Sequence, residues 1–399
     1  MRKVAVLGYG TVGSGVVAVL EQSEDQIKRK LGEEVQVVKV LDIRDFPGDP
    51  IQERIVHDFE EILKDPEIEV VVEVMGGLHP AYEYVSQSLC AGKHVATSNK
   101  ALVEAYGAEL GVLAREHGVS FQFEASVAGG IPILRTLNTA MIQEEIYQVT
   151  GILNGTTNYI LALMEDTGAT FQEALADAQA RGYAERDPEA DIEGYDAARK
   201  IAILASMICG KHIRYQDVPT QGISGITKAD IEGAAALGGR LKLLGSCSQE
   251  NGRFYVSVEP TFVPMDHLLA AVNSVFNAVM LKSSMLGDTM FYGKGAGKLA
   301  TASAVVADVL AALDGNGVYE MNTWSSEIEE PAHPADRPCR YMVRAEGAQT
   351  EHPLFASLVP SEGGFSALTH QCSRKELTAL LEQIGRQAKV CSVFRKMEE

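Results

Sequence analysis

The stretch KVAVLGYGTVGSGVVAVL, residues 3–20, predicts a strand, a glycine-rich turn and a helix. A short apolar run stops at Gly8, and apolar residues then recur at helical spacing as far as Leu20. A GxGxxG pattern between a strand and a helix is typical of dinucleotide binding, because its glycines allow a tight turn, close approach of the pyrophosphate and close helix–strand packing. The helix N-terminus adds free N–H groups and a partial positive charge. We therefore predict that Gly8, Gly10 and Gly13 bind a dinucleotide, the alternative being a purely structural turn.

The first third of the chain alternates short apolar runs with helix-like stretches. This alternation predicts a parallel sheet with helices on both faces, a doubly wound Rossmann-type domain. The predicted strands are 3–7, 35–43, 70–74, 94–97 and 120–124, and the predicted helices are 12–20, 81–91 and 107–117.

From about residue 131 the pattern changes to longer helices with strand-like pieces between them, which predicts a second, mixed α+β domain. The predicted helices are 170–181 and 195–209, and the predicted strands are 148–153 and 254–260. Residues 325–340 are acidic and rich in proline, which is typical of a linker. The remaining residues predict a small region of strand, loop, strand, helix (375–384) and strand.

Composition limits the possible partners. The 35 basic and 54 acidic residues give a formal charge of −19, which argues against binding nucleic acid or anionic membranes. We find no apolar run of about 18 residues that would predict a membrane span. The six cysteines lie far apart without a CxxC pair, so neither a zinc site nor a disulfide framework is expected. Together with the lack of a signal-peptide pattern, this usage favours a reducing cytoplasm.

The end of the second predicted strand, VLDIRD at residues 40–45, bears on the cofactor. An acidic residue at this strand end accepts hydrogen bonds from the ribose hydroxyls of NAD, whereas an arginine accommodates the 2′-phosphate of NADP. Asp42 and Arg44 both occupy the right place. The residues therefore leave the choice between NAD and NADP open.

A second group of charged residues lies in GYAERDPEADIEGYDAARK, residues 182–200. An acidic loop leads into a helix on which Asp196 and Lys200 share one face, about 6 Å apart along the axis. The helix beyond is almost entirely apolar, which predicts burial, and buried charges need partners. The pair is either a structural ion pair or an ammonium acid held by a carboxylate in a substrate pocket. In the second case the acidic loop suits a substrate with an α-ammonium group. Lys100, after the strand ending at Thr97, either lies near the nicotinamide or is a surface lysine.

Six segments in order resemble the homoserine dehydrogenase family from residue 1 to about residue 315. They are GYGTVG (8–13), TSNK (97–100), EASVAGGIPIL (124–134), ILNGTTNYIL (152–161), GYAERDPEADIEGYDAARK (182–200) and GKGAGKLATASAVVADVL (293–310). The resemblance implies reversible, NAD- or NADP-dependent reduction of L-aspartate 4-semialdehyde to L-homoserine, on the route to threonine and methionine. It also implies a cytoplasmic homodimer.

The resemblance also implies roles for individual residues. Lys200 is the proton donor to the carbonyl oxygen, with Lys100 and Asp196 as further catalytic residues. Glu185, Asp191 and Asp196 bind the substrate. The cofactor contacts Gly8, Gly10, Thr11, Val12, Gly13, Asp42, Arg44, Ser98, Lys100, Gly155, Gly295 and Gly297, with Asn154 and Thr156 near the nicotinamide. A sodium ion is bound by main-chain carbonyls and one carboxylate at Glu124, Val127, Gly129 and Ile131.

The resemblance implies two main domains. A dinucleotide-binding domain covers 1–130, with 295–318 returning to it, and a catalytic and dimerisation domain covers 131–294. A linker over 319–340 leads to a truncated region over 341–399 that resembles an ACT regulatory domain. Residues 340–347 resemble the first strand of such a domain, and residues 365–370 through 390–396 resemble its closing strand, helix and strand. The usual first helix and its Asp-Arg-Pro-Gly loop are replaced by HPLFASLVPSEGG, residues 352–364. We therefore expect no threonine feedback through that loop.

Two other functions are compatible with the residues alone. The first is that of a Rossmann dehydrogenase acting on another amino acid, and the second is that of a non-catalytic NAD(H) sensor. Within the homoserine dehydrogenase hypothesis, Lys200 either delivers the proton itself or is a fixed positive charge while water delivers the proton.

Overall fold

The structure, a computed structural model, describes residues 1–314, 323–349, 351–361 and 363–398. The chain forms two compact units. The first comprises Met1–Glu145, Ala202–Arg214 and Gly293–Glu329, and the second comprises Ile146–Ile201, Tyr215–Tyr292 and Glu330–Glu399.

The strands, in chain order, are β1 (Arg2–Leu7), β2 (Val35–Leu41), β3 (Ile55–Val56), β4 (Ile68–Glu73), β5 (His94–Thr97), β6 (Phe121–Gln122), β7 (Ile146–Ile152), β8 (Lys211–His212), β9 (Gly239–Glu250), β10 (Arg253–Pro264), β11 (Phe276–Ser283), β12 (Gly287–Lys294), β13 (Ser325–Ile328), β14 (Tyr341–Gly347), β15 (Phe355–Ser361), β16 (Gly364–Thr369) and β17 (Ala388–Lys396). The helices are α1 (Thr11–Gln22), α2 (Glu24–Leu31), α3 (Glu60–Leu63), α4 (Ala81–Cys90), α5 (Lys100–Glu116), α6 (Ile133–Arg135), α7 (Gly155–Thr167), α8 (Phe171–Ala180), α9 (Glu189–Ile192), α10 (Tyr195–Cys209), α11 (Lys228–Ala236), α12 (Lys298–Leu313) and α13 (Arg374–Ile384).

The first unit contains a six-stranded parallel sheet in the order β3-β2-β1-β4-β5-β6. The central strand β1 is valine-rich, and Val4 and Val6 are fully buried, as expected for a parallel sheet with both faces covered. The doubly wound Rossmann-type sheet is thereby confirmed. The strand order reverses between the neighbours β1 and β4, and ligands of such sheets bind in the crevice at the carboxyl ends of the strands there.

The glycines of α1 are required by close packing in the first unit. A Cβ atom on Gly13 would lie 1.9 Å from the carbonyl oxygen of Gly8, so only glycine fits there. A Cβ atom on Gly15 would lie 2.7 Å from the carbonyl oxygen of Lys298 and 2.9 Å from the Cβ atom of Ala302. Helix α12 therefore packs tightly on α1. The returning segment was predicted over 295–318, of which residues 315–318 lie outside the described residues.

The second unit contains a nine-stranded mixed sheet in the order β12-β11-β7-β9-β10-β17-β14-β16-β15. The long hairpin of β9 and β10 forms its centre, and β17 joins β10 as a parallel neighbour. The four C-terminal strands thus continue the sheet of the second unit. A mixed second domain is confirmed; the sequence predicted parts of β7 and β10 and the C-terminal strands β14, β16 and β17, but not β9, β11, β12 or β15.

The segment predicted as a linker over 319–340 is hydrogen-bonded at several places. Residues 319–322 lie outside the described residues, but Ser325–Ile328 forms β13 and pairs with β8. Ala332 exchanges backbone hydrogen bonds with β10, donating to the Phe254 carbonyl and accepting from the Val256 N–H. A proline-rich composition indicated irregular backbone but did not reveal these pairings.

The C-terminal strands form a small core with α13. Phe365, Leu380 and Ile384 are among its buried residues. Among residues 348–354 the structure describes all but residue 350, and these contain no helix between β14 and β15. Much of the stretch treated as an irregular loop is strand β15. The likeness of this region to an ACT domain stays a prediction.

Buried charges attach the C-terminal strands to α11. Arg344 on β14 donates from Nε to Oδ1 of Asp230 at 2.7 Å, and Ser392 on β17 donates to the same oxygen. Both Arg344 and Asp230 are buried.

In the described part of the chain, no helix is both long and apolar enough to cross a bilayer.

Candidate active site

A cavity of about 660 Å³ lies at the glycine loop of the first unit. It is lined by Tyr9, Gly10, Thr11, Ser14, Val17, Ala18, Glu21, Arg44, Phe46, Asp49 and Lys298. Three of the predicted cofactor residues, Gly10, Thr11 and Arg44, are thus lining residues. Lys298, at the start of α12, adds a second basic side chain that the sequence analysis missed.

Asp42 and Arg44 are bonded to each other at the edge of this cavity. Arg44 donates from Nε to Oδ1 of Asp42 and from Nη2 to Oδ2, each at 3.0 Å. The backbone N–H groups of Tyr9 and Arg44 also donate to this carboxylate, at 2.8 and 3.0 Å. The Arg44 guanidinium lowers the pKa of Asp42 to about 2. Both carboxylate oxygens are therefore engaged, while the Arg44 side chain is 57% exposed.

The residues predicted around the nicotinamide lie after β5 and at the starts of α5 and α7. Asn99 caps α5, because its Oδ1 accepts the N–H of Leu102 at 3.2 Å. Lys100 is consequently the first residue of a helix that begins seven residues earlier than the predicted start at Gly107. Ser98 and Lys100 are half-buried.

The remaining predicted cofactor residues of the first unit lie in α1 and before α12. Val12 is half-buried in the first turn of α1, and Gly13 is buried. Gly295 is buried, and its carbonyl oxygen would lie 2.3 Å from a Cβ atom on Gly129. Gly297 precedes α12 with a φ of +118°, a conformation that favours glycine.

The Lys200 ammonium group is held by two acceptors in the second unit. Its Nζ donates to Oδ2 of Asp196 at 2.6 Å and to the carbonyl oxygen of Leu153 at 2.9 Å. The side chains of Lys200 and Asp196 are only 12% and 7% exposed. The spacing of four residues on α10 thus yields a largely buried ion pair, and Asp196 lies in the first helical turn, where the helix dipole favours a carboxylate.

Asn154 joins two carboxylates beside this lysine. Its Nδ2 donates to Oδ1 of Asp191 at 2.7 Å and to Oδ2 of Asp196 at 2.9 Å. Its Oδ1 caps α7 by accepting the N–H of Thr157 at 2.9 Å. This bridging role was not found from the sequence, although an asparagine immediately before a helix is a recognisable capping signal.

Burial and the neighbouring charge of Asp196 together raise the pKa of Asp191. Two carboxylates and one ammonium give the group a formal charge of −1 when all three are ionised. Such a group can accept a further ammonium from a ligand. Gly155 follows Asn154 at the start of α7, where a Cβ atom would lie 2.7 Å from the carbonyl oxygen of Val275.

Glu185 lies apart from this network in the contacts that the structure records. Its side chain is exposed on the acidic loop, and its carbonyl oxygen accepts a hydrogen bond from Gln179 at 3.1 Å. The hydroxyl of Thr156 donates to the carbonyl oxygen of Tyr183 at 2.8 Å, which attaches the start of the loop to α7. The structure thus brings Asp191, Asp196 and Lys200 together but does not bring Glu185 to them.

The predicted sodium loop is buried and tightly folded in the first unit. The carboxylate of Glu124 accepts the N–H groups of Leu134 and Arg135 at 2.9 and 2.6 Å. Ala128 and Gly129 both have positive φ, 55° and 56°. Both oxygens of the expected carboxylate ligand therefore accept backbone N–H groups, and the sodium site stays a prediction.

Side chains alone offer no metal site here. Within the residues that the structure describes, no group of three or more His, Cys, Asp or Glu side chains is placed to hold a metal ion. Main-chain carbonyl oxygens are the remaining ligands in this loop, and hard cations accept them.

A glycine loop at the switch point of a parallel sheet, together with a buried lysine–carboxylate pair, defines a dinucleotide-dependent oxidoreductase. Comparison with known families agrees: a model described as "Homoserine dehydrogenase, NAD binding domain" matches residues 8–124, and one described as "Homoserine dehydrogenase" matches residues 132–310. The chain belongs to the homoserine dehydrogenase family, as its six motifs had led us to expect.

Individual relatives agree along nearly the whole chain. Homoserine dehydrogenase of Pseudomonas aeruginosa is 44% identical, covering 96% of this chain and 84% of its own. That of Lactococcus lactis is 41% identical, covering 96% and 95%. The crystal structure of a homoserine dehydrogenase from Thiobacillus denitrificans has a TM-score of 0.90 at 34% identity, covering 100% and 98%. A hyperthermophilic archaeal homoserine dehydrogenase mutant, solved in complex with NADPH, has a TM-score of 0.67 at 27% identity, covering 78% and 97%.

Proposed function

We propose that the protein catalyses the reversible, NADP-dependent reduction of L-aspartate 4-semialdehyde to L-homoserine, with Lys200 as the proton donor. The observation that carries this proposal is the largely buried ammonium of Lys200, held by Asp196 and the carbonyl oxygen of Leu153. A nicotinamide cofactor, when bound, supplies the hydride to the aldehyde carbon.

Lys200 neutralises the charge that develops on the aldehyde oxygen. An ammonium group has three N–H donors, and two of them go to Asp196 and Leu153. The third N–H is directed to the substrate oxygen and transfers its proton as the carbonyl becomes an alcohol. General acid catalysis of this kind contributes about 10²- to 10⁴-fold to the rate. In the oxidative direction the neutral amine takes the same proton back.

Asp191 and Asp196 bind the α-ammonium group of the substrate in this proposal. Asn154 fixes both carboxylates by donating one N–H to each. The formal excess of one negative charge attracts the substrate ammonium and disfavours a second anion. Glu185 is proposed as a further substrate carboxylate on the exposed loop, and Lys100 as a second catalytic or cofactor-contacting lysine.

We propose NADP as the cofactor because both carboxylate oxygens of Asp42 already accept hydrogen bonds within the protein. In an NAD site this acid accepts the ribose hydroxyls, but here Arg44 and the N–H of Tyr9 already occupy both oxygens. Arg44 and Lys298 line the same cavity and offer positive charge to a 2′-phosphate. The arrangement therefore favours the phosphorylated cofactor.

Replacing Arg44 by alanine should reverse this preference. We expect kcat/KM for NADP⁺ to fall about 10- to 100-fold, because a charge-assisted hydrogen bond contributes about 1.5–3 kcal/mol. The value for NAD⁺ should hold or rise, because the Asp42 carboxylate becomes available to the ribose hydroxyls. Initial rates of homoserine oxidation with each cofactor measure both values. Arg29→Ala, on the exposed surface of α2, is the matched control. An equal loss of kcat/KM with NADP⁺ and NAD⁺ would show that Arg44 does not bind the 2′-phosphate.

A sodium ion is part of the proposal in a modified form. The ligands would be main-chain carbonyl oxygens of Glu124, Val127, Gly129 and Ile131, because the Glu124 carboxylate is engaged by backbone N–H groups. Such an ion would stabilise the loop that packs against Gly295.

We further propose a cytoplasmic homodimer that does not bind nucleic acid. The formal charge of −19 disfavours a phosphate backbone as a partner. The six cysteines are free thiols, which suits a reducing compartment. For the C-terminal strands we propose a role in packing, since β17 extends the sheet of the second unit and Arg344 attaches β14 to α11.

Initial-rate measurement with L-homoserine tests the function. We expect turnover with NADP⁺, weaker turnover with NAD⁺ and a higher rate in sodium chloride than in choline chloride of the same ionic strength. L-aspartate in place of homoserine should give no turnover, whereas an amine-forming dehydrogenase would oxidise it. A protein that binds NADPH but does not oxidise homoserine would refute the proposed reaction.

A further inference from the structure

Glu73, the last residue of β4, carries a carboxylate that is completely buried. Its Oε1 accepts the N–H groups of Met75 and Gly76 at 2.8 and 3.3 Å. Its Oε2 accepts the hydroxyl of Thr97, the last residue of β5, at 2.6 Å. One carboxylate therefore fixes the loop after β4 and the end of β5 relative to each other.

The same network continues to the start of α5. The hydroxyl oxygen of Thr97 also accepts the N–H of Asn99 at 2.9 Å. Asn99 in turn donates from Nδ2 to the carbonyl oxygen of Gly77 at 2.6 Å and caps α5 through Oδ1. Lys100 is the first residue of that helix. Its backbone position is thus set by a chain of hydrogen bonds that begins at Glu73.

The network lies at the switch point of the parallel sheet. In the sheet register Glu73 is the partner of Leu7 on β1 and of Thr97 on β5. A Cβ atom on Gly8 would lie 3.1 Å from the Cγ of Met75, so the loop after β4 lies against the glycine loop. In doubly wound sheets the ligand binds between these two loops.

Burying an isolated carboxylate costs free energy, and at Glu73 burial raises the pKa of the carboxyl group. Three donors, two backbone N–H groups and one hydroxyl, offset part of that cost. A buried carboxylate whose hydrogen bonds all serve loops of the ligand crevice is more typical of a functional site than of the core.

We propose that Glu73 is a positioning residue for the nicotinamide end of the cofactor. Its carboxylate holds the 75–77 loop and, through Thr97 and Asn99, the start of α5 with Lys100. It touches no reacting atom and acts by fixing the geometry in which the hydride is transferred. The inference rests on the proposed function only in assigning the hydride step to this crevice.

Thr97→Val tests the proposal, because it keeps the shape of the side chain and removes the hydroxyl that connects Glu73 to Asn99. Misplacement of a reacting group by about 1 Å costs up to about 10²-fold in rate, so we expect kcat to fall about 10- to 100-fold. The primary deuterium isotope effect with L-homoserine deuterated at the alcohol carbon should rise, since hydride transfer becomes slower. Thr97→Ser, which restores the hydroxyl, should recover most of the activity.

A binding measurement tests the role of Glu73 independently of the proposed reaction. For Thr97→Val we expect the Kd of NADP⁺ to rise about 10-fold, while the Kd of 2′,5′-ADP, which lacks the nicotinamide, stays unchanged. This readout holds whether or not the wild-type protein oxidises homoserine. Glu73→Gln, which retains one acceptor oxygen, should likewise lower kcat and raise the Kd of NADP⁺ while the Kd of 2′,5′-ADP stays unchanged.

Thr369→Val is the matched control. Thr369 is also buried at the end of a strand, and its hydroxyl oxygen accepts the N–H of Tyr341 at 2.9 Å. It lies in the C-terminal strands, so we expect it to lower Tm with kcat and both dissociation constants unchanged. If Thr97→Val behaves like Thr369→Val, lowering Tm alone, then Glu73 serves only the fold and the proposal is overturned.

Discussion

Replacing Lys200 by alanine should lower kcat for homoserine oxidation about 10³-fold, within the range of about 10² to 10⁴ for loss of a general acid–base group. The side chain touches Asp196 and Leu153, and no other group in this network of the described residues is a cation. The measurement is the initial rate at saturating NADP⁺ and homoserine, together with the Kd of NADP⁺.

The control for Lys200→Ala is Lys375→Ala, on the exposed first turn of α13. It should leave kcat and the Kd of NADP⁺ unchanged. For Lys200→Ala the Kd of NADP⁺ should also be unchanged, because the crevice at Arg44 is intact. A Lys200→Ala protein with near-normal kcat would remove the assigned proton donor. If exogenous primary amines restore activity at rates that depend on the pKa of the amine, the lysine transfers the proton, because any of these ammonium ions would replace a fixed positive charge equally well.

Replacing Asp196 by asparagine should be nearly as damaging and should also destabilise the fold. The change leaves the largely buried ammonium of Lys200 without its carboxylate, and breaking such a pair costs about 3–5 kcal/mol. We expect a lower free energy of unfolding in urea and a loss of about 10²-fold in kcat, because the ammonium is no longer held toward the substrate oxygen.

An exposed pair with the same spacing provides the control for Asp196→Asn. Oε2 of Glu60, the first residue of α3, lies 2.8 Å from Nζ of Lys64, which follows the helix; the side chains are 48% and 77% exposed, so solvent screens their attraction. Glu60→Gln should change neither stability nor kcat measurably. If Asp196→Asn also leaves the free energy of unfolding and kcat unchanged, the ion pair does not hold Lys200 in place and the proposed site is wrong.

Features that depend on residues close together in the chain could be predicted from the sequence. The glycine loop and α1 follow from one continuous stretch, because the turn and the helix depend on neighbours in the chain. The contact between Asp196 and Lys200 follows from a spacing of four residues on a helix whose length the apolar pattern also predicted. Strand β3 was missed because two residues show no periodicity.

Features that depend on distant partners were not predictable in the same way. Asn154 bonds to Asp191 and Asp196, which lie 37 and 42 residues further along the chain. Its own segment, ILNGTTNYIL, reveals a helix cap but not the two carboxylates. Glu73 was predicted only as part of the strand 70–74, because its partner Thr97 becomes a neighbour through pairing of β4 with β5.

The nine-stranded sheet was underpredicted for a related reason. Strands β9 and β11 both pair with β7, which lies about 90 to 130 residues earlier in the chain, so the sequence around each strand does not reveal this partner. The expected linker likewise contained β13, whose partner β8 lies more than 100 residues earlier. Composition alone described the backbone of that segment but not its partners.

A crystal structure of the protein with NADP⁺ and L-homoserine bound would show directly whether Lys200 is the proton donor. We expect Nζ of Lys200 about 3 Å from the homoserine hydroxyl oxygen and the homoserine ammonium against Asp191 and Asp196. A bound homoserine whose hydroxyl meets a different side chain, with Lys200 bonded only to Asp196 and Leu153, would contradict it.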